Sequence, residues 1–95
     1  MMDETQERIT ADRGDRAQRL LEDPLIREAL KAIHDAAVQR FVKSKVESER
    51  ERLIARLQID AAEEFVNALL HHVRNGTLAK SNLEKLRGFV RRRVA

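Results

Sequence analysis

The sequence predicts an all-α fold in which two long helices form an antiparallel hairpin flanked by short helices. Apolar residues recur at steps of three and four over most of the chain, and helix start signals precede the two longest periodic segments. An Asn-Gly pair, a helix stop signal, follows the second of them. We therefore divide the chain into a flexible N-terminal tail, a helical hairpin domain and a basic C-terminal helix, with the ranges 1–9, 10–79 and 80–95.

The composition limits the size of the core and the kinds of site. A chain of 95 residues forms one domain at most. A domain of this size buries only about 60–65% of the surface that its unfolded chain exposes. Apolar residues make up 42% of the sequence but only three are aromatic, so Leu, Ile, Val and Ala must fill the core. The absence of Cys excludes disulfides and thiolate metal sites, and apolar runs too short to cross a bilayer predict a soluble, non-exported protein.

The N-terminal segment is polar at first. Residues 1–9 show no helical periodicity, which predicts a frayed tail. Thr10 is a suitable N-cap for a short helix that carries Ala17, Leu20 and Leu21 on one side. Gly14 destabilises this helix by about 1 kcal/mol relative to Ala.

The first long helix has a strong start signal. Asp23 caps it, and Pro24 takes the first helical position, where its missing N–H is not needed. Its periodicity lapses around residues 43–45. The apolar stripe consists of Ile26, Leu30, Ile33, Ala37 and Phe41.

The second long helix begins after a capping box. The hydroxyl of Ser48 and the carboxylate of Glu51 can satisfy each other's backbone N–H groups. The helix is predicted to end at Asn75-Gly76, because glycine readily adopts the left-handed closing conformation. Two long helices joined by a short link lie antiparallel and share one apolar seam. On this helix the seam consists of Leu53, Leu57, Ala61, Phe65, Leu69 and Val73.

The chain turns basic after residue 79. Residues 1–79 hold 13 Lys and Arg against 15 Asp and Glu, whereas residues 80–95 hold 6 against 1. Ser81 and Glu84 form a second capping box, which predicts a short basic helix. Its cations can neutralise DNA phosphates or remain solvated at the negative end of the helix dipole. They are Lys80, Lys85, Arg87, Arg91, Arg92 and Arg93.

The residues that could bind a metal ion or act in catalysis have a simpler interpretation. His71 and His72 are adjacent and point about 100° apart on a helix, which is a poor arrangement for binding one metal ion. Glu63, Glu64 and Asp60 belong to the polar side of an amphipathic helix, where carboxylates usually face solvent. Glycine-rich phosphate-binding motifs are absent from the sequence. We therefore predict a protein that is not an enzyme, with no cofactor and no metal site.

The apolar surface exceeds what one hairpin seam can bury. The short N-terminal helix, the basic C-terminal helix or a second subunit must cover the remainder. We predict that the protein forms a homo-oligomer or joins a larger assembly. The candidate interface residues are Val38, Val42, Ile54, Val66, Leu70, Phe89 and Val90.

Four short runs carry a resemblance to a known family: residues 11–17 (ADRGDRA), 20–25 (LLEDPL), 49–53 (ERERL) and 76–79 (GTLA). In these runs the chain resembles short helical proteins that tailed bacteriophages and prophages encode among their DNA-packaging and head-assembly genes. The resemblance implies a non-enzymatic virion-assembly or packaging accessory that docks to itself or to larger phage proteins. It also implies a location in the bacterial host cytoplasm or in the virion.

Two alternative functions remain open at the level of sequence. A small DNA-binding packaging component or regulator would use the basic C-terminal helix. Such a component could bind DNA through a helix-turn-helix around Gly76, although the preceding helix is longer than the helices of that motif. The other alternative is an inhibitor of a host protein complex.

Overall fold

The structure, a computed structural model, describes residues 3–44 and 48–94; for residues 89, 90 and 92–94 it describes the backbone alone. Over these ranges it contains helices and no strand. The predicted all-α class is therefore confirmed. The helices are α1 (Glu4–Glu22), α2 (Pro24–Lys43) and α3 (Glu49–Val94).

Helix α1 begins well before the predicted start at Thr10. Asp3 precedes its first turn: the Asp3 side chain accepts a hydrogen bond from Thr5 N at 3.0 Å, and its carbonyl accepts one from Glu7 N at 2.9 Å. The acidic residues Glu4 and Glu7 also suit the positive end of the helix dipole. The predicted tail is therefore wrong for residues 4–9, while residues 1 and 2 lie outside the described part.

Helix α2 has the boundaries that the sequence predicts. The Asp23 carboxylate accepts hydrogen bonds from Leu25 N at 2.8 Å and from Ile26 N at 3.4 Å. At the other end the Ser44 hydroxyl donates to the Phe41 carbonyl at 2.6 Å. Side-chain caps at both ends thus fix the helix locally, which explains why sequence reasoning finds it.

Helix α3 starts as predicted but does not stop as predicted. It begins directly after Ser48, whose carbonyl accepts a hydrogen bond from Arg52 N at 3.2 Å. It then runs for 46 residues, through Asn75-Gly76, and Gly76 does not adopt a positive φ. Ser81, the predicted cap of a separate basic helix, lies inside α3. The predicted second long helix and the predicted basic helix are therefore one helix.

The chain divides into two compact units, and each contains part of α3. We call residues 1–20 with 69–95 the terminal unit and residues 21–68 the central unit. The predicted boundaries at residues 9 and 79 do not coincide with this division.

The terminal unit pairs α1 with the second part of α3. Asn82 donates a hydrogen bond to Glu7 at 3.4 Å near the start of α1, and Gly14 packs on Gly76 farther along. Contacts later in α1 are thus made with residues earlier in α3, so the two helices run in opposite directions. The most buried positions are all small, which lets the helices approach closely. They are Ala11, Gly14, Ala17, Gly76 and Ala79.

The central unit pairs α2 with the first part of α3. The Arg52 guanidinium lies over the Phe41 ring at 5.3 Å, and Arg40 donates a hydrogen bond to Gln58. The end of α2 thus meets the start of α3. The buried residues of this unit are Ala37 and Ala55.

Large residues predicted for the seam are exposed in the central unit. Ile33, Leu57 and Phe65 are 54%, 56% and 48% exposed, and Leu53 is exposed as well. In a pair of helices each helix has only one neighbour, so most of the roughly 100° apolar stripe stays uncovered. Alanine occupies the line of closest contact, and the larger side chains lie beside it.

Candidate functional site

An apolar groove lies between α2 and α3 in the central unit. Its volume is about 430 Å³, and the only polar residue in its lining is Gln58. Ile33 and Phe65 line opposite sides of it, one on each helix. The full lining is Ile26, Ala29, Leu30, Ile33, Gln58, Ala61, Ala62 and Phe65.

Helical spacing extends this groove into a larger apolar face. Ile54 and Leu57 lie about two turns and one turn before Ala61 on the same side of α3. On α2, Leu25 lies about one turn before Ala29. Ile54, Leu57 and Leu25 are all exposed. We define the apolar face as the groove lining together with Leu25, Ile54 and Leu57.

Of the seven predicted interface residues, only Ile54 belongs to the apolar face. Val38, Val66 and Leu70 are half-buried, and Val42 is 70% exposed at the end of α2. The side chains of Phe89 and Val90 lie outside the described part of the chain. Sequence reasoning places Ile33 and Phe65 in the core, so it misses these two exposed residues of the groove lining.

A second groove of the central unit is chemically mixed. It has a volume of about 310 Å³, and Val66 lines it together with Lys31, His34 and Glu63. His34 Nδ1 lies 3.8 Å from Asp35 Oδ1, an exposed contact. Its charged rim makes it a weaker candidate than the apolar groove for binding an apolar partner.

The histidine and carboxylate side chains considered in the sequence analysis are not grouped into one site. The rings of His71 and His72 have centroids 5.9 Å apart, and His71 Nε2 lies 3.1 Å from Asn75 Nδ2. Glu63 and Glu64 are exposed. Among residues 3–44 and 48–94, no three His, Asp or Glu side chains are grouped as metal ligands would be.

A basic surface lies in the terminal unit, where the start of α1 meets the last turns of α3. Arg87 and Arg91 line a groove of about 480 Å³ together with Leu86 of α3 and with Glu4 and Arg8 of α1. Arg8 forms an exposed ion pair with Glu4 at 2.7 Å. The structure thus adds one arginine to the predicted basic group.

The other predicted cations have different surroundings. Lys80 forms an ion pair with Asp15, so part of its charge is neutralised within the terminal unit. Lys85 is exposed. The side chains of Arg92 and Arg93 lie outside the described residues.

The two units carry opposite net charges. The terminal unit holds 11 Lys and Arg against 6 Asp and Glu, a net charge of +5. The central unit holds 8 against 10, a net charge of −2. The basic surface therefore belongs to a positively charged unit, whereas the apolar face belongs to a weakly acidic one.

Comparisons of the chain with family models, curated proteins and solved structures gave no match. Within the described ranges, none of the helices combines the length and the apolar character that crossing a bilayer requires.

Proposed function

We propose that the protein is a non-enzymatic docking component of a bacteriophage head-assembly or DNA-packaging complex. In this proposal α2 and the first part of α3 form an antiparallel hairpin that presents the apolar face to a protein partner. The observation that carries the proposal is the position of Ile33 and Phe65 at the rims of an open apolar groove. The resemblance of the sequence to phage and prophage proteins supports the biological setting.

The energetics favour a partner on this face. Full burial of a large aliphatic or aromatic side chain contributes about 1.5–3 kcal/mol. In the single chain, the side chains of Ile33, Leu57 and Phe65 are each about half exposed. Covering them would therefore contribute about 1 kcal/mol for each side chain. Contiguous apolar patches of this kind on a soluble protein commonly mark interaction sites.

The test is the presence of the chain in purified phage particles and assembly intermediates. We expect the unmodified chain to co-purify with them and Phe65→Arg to be lost from them. Asn67→Arg is the matched control, because Asn67 is exposed on the same helix and points about 200° away from Phe65. Equal recovery of all three chains, or recovery of none, would contradict the proposal.

A second candidate function, DNA binding, is favoured by the basic surface. Arg8 is far from Arg87 and Arg91 in sequence but lines the same groove. Convergence of cations from two helices is what a phosphate-binding surface requires. Glu4 lies in the same groove and offsets part of this charge.

A further inference from the structure

We propose that the apolar face is covered by the same face of a second copy of the chain, turned end for end. The two central units then form a four-helix bundle. This inference rests on the proposed docking function and names the partner. Three properties of the central unit support it: the distribution of charge along the helices, the alternation of small and large side chains, and the size of the helical surface that carries the face.

Charge is distributed unequally along the central unit. At one end, which we call the acidic end, residues 22–28 and 63–68 hold five Asp and Glu against one Arg, a net charge of −4. At the other, the basic end, residues 40–44 and 48–52 hold four Lys and Arg against two Glu, a net charge of +2. Contacts between α2 and α3 place each pair of ranges at the same end of the unit: Phe41 meets Arg52, and Ile26 lines the groove with Phe65.

This distribution selects the orientation of a second copy. Two copies docked in the same direction would bring the acidic ends together and the basic ends together, which is unfavourable. Turning one copy end for end brings each acidic end against a basic end. A two-fold symmetric interface uses the same patch on both partners, so the patch must be complementary to itself. The charges of the central unit have this property in the end-for-end orientation only.

The alternation of small and large side chains on the face also suits a helical partner. Ala29 and Ala61 alternate with Ile33 and Phe65 around the groove. A small residue leaves a hole that a large side chain of a facing helix can fill, as in the packing of helix bundles. The groove itself, about 430 Å³ in volume, is open to such side chains.

The side of the central unit that carries the apolar face is large enough for a specific interface. A helix of 20 residues, the length of α2, extends about 30 Å. Two packed helices present a width of about 20 Å, so the whole side of the central unit, polar positions included, covers roughly 600 Å². Each partner contributes about 800 Å² of accessible surface to a standard interface, a comparable value.

Sedimentation equilibrium of the full chain tests the second copy directly. We expect a dimer, and we expect Phe65→Arg to raise its dissociation constant about tenfold or more. Asn67→Arg, on the opposite side of α3, should leave the dimer unchanged. Circular dichroism will show whether each variant keeps its helix content. Phe65 is half exposed in the single chain, so its replacement should not unfold the helices.

Disulfide formation tests the orientation. The chain has no Cys, so Ile54→Cys and Ala68→Cys place single thiols toward the basic and the acidic end of one helix. Fourteen residues separate them, so they share approximately one side of α3. When the two variants are mixed under mild oxidation, we expect the mixed disulfide to exceed both self-disulfides. A predominance of self-disulfides would overturn the end-for-end arrangement.

A monomer at all accessible concentrations would overturn the inference. The behaviour of Phe65→Arg in phage assembly then shows whether the docking function fails as well. If Phe65→Arg is still lost from phage assembly intermediates, the docking function stands and the partner is another protein. If Phe65→Arg is retained in them, the docking function fails together with the inference.

Discussion

Gly14 of α1 and Gly76 of α3 pack backbone against backbone at the crossing of the two helices. A Cβ atom built on Gly14 would lie 2.7 Å from Gly76 Cα and 2.8 Å from the His72 carbonyl oxygen. A Cβ atom built on Gly76 would lie 2.7 Å from Gly14 Cα. Distances this short cannot be accommodated without moving a helix. Both glycines are therefore required by helix packing in the terminal unit.

The first prediction concerns this crossing. Gly14→Ala should lower the free energy of unfolding by about 1–3 kcal/mol, because overpacking outweighs the gain in helix propensity. Gly88→Ala is the matched control, since a Cβ atom there meets no atom within 4 Å. It should raise the free energy of unfolding by about 0.5–1 kcal/mol. Urea denaturation followed by circular dichroism measures both, and stabilisation by Gly14→Ala would contradict the close crossing.

The second prediction is that α3 is continuous through Asn75-Gly76. The ¹³Cα chemical shifts of residues 73–82 should all be helical, because Gly76 has a helical conformation in the structure. A helix that closed at Gly76 would instead give non-helical shifts there and at the residues that follow. That result would restore the separate basic helix predicted from the sequence.

Sequence reasoning predicted the features that depend on neighbouring residues. The Asp23 cap and the Ser44 end of α2 involve groups within a few positions, so their signals are local. The role of Gly76 depends on Gly14, which is distant in the chain and meets it only in the folded structure. The same glycine suits a left-handed helix end and a close helix contact, and local sequence does not distinguish the two uses.

The candidate site was harder to predict for a related reason. Periodicity identifies Ile33 and Phe65 as members of an apolar stripe but does not say how many helices surround it. With a single neighbouring helix, the line of contact passes through Ala37 and Ala55, and the larger residues remain beside it. The number of helices that pack around a stripe depends on the whole fold and not on the local sequence. A buried core and an exposed docking face therefore have the same periodic pattern in the sequence.

The third prediction tests the cap of α2. Asp23→Ala should lower the free energy of unfolding by about 1 kcal/mol, because it removes the acceptor for Leu25 N and Ile26 N. Asp35→Ala is the control within the same helix, since its exposed contact with His34 contributes little. Both values come from the same urea denaturation measurement. Equal effects of the two substitutions would show that the cap is not a source of stability.

The fourth prediction tests the basic surface as a DNA-binding site. If it binds DNA, Arg87→Gln, at an exposed arginine that lines the groove, should reduce the slope of log K against log salt by about one unit. Lys80→Gln should reduce the slope less, because Lys80 is paired with Asp15. Fluorescence anisotropy with a short duplex across a salt series measures both slopes. Unchanged slopes in both variants, or no binding by the unmodified chain, would exclude this surface as a DNA site.

Point substitutions are preferable to a truncation at residue 79 in this experiment. The truncation would remove Asn82, which donates a hydrogen bond to Glu7, and the last turns of α3 that pack beside the start of α1. Loss of binding would then report damage to the terminal unit as well as loss of charge.

The central claim is that the apolar face is open in the single chain and is covered by a second copy. The rate of thiol labelling of Ala61→Cys as a function of chain concentration tests it most directly, with Asn67→Cys as the control. Both positions are exposed, but only Ala61 lines the groove on the apolar face. We predict equal rates at nanomolar concentration and a selective decrease for Ala61→Cys as the concentration rises. Slow labelling of Ala61→Cys even at the lowest concentration would show that the face is an internal core, and equal rates at every concentration would show that no second copy covers it; either result would contradict the claim.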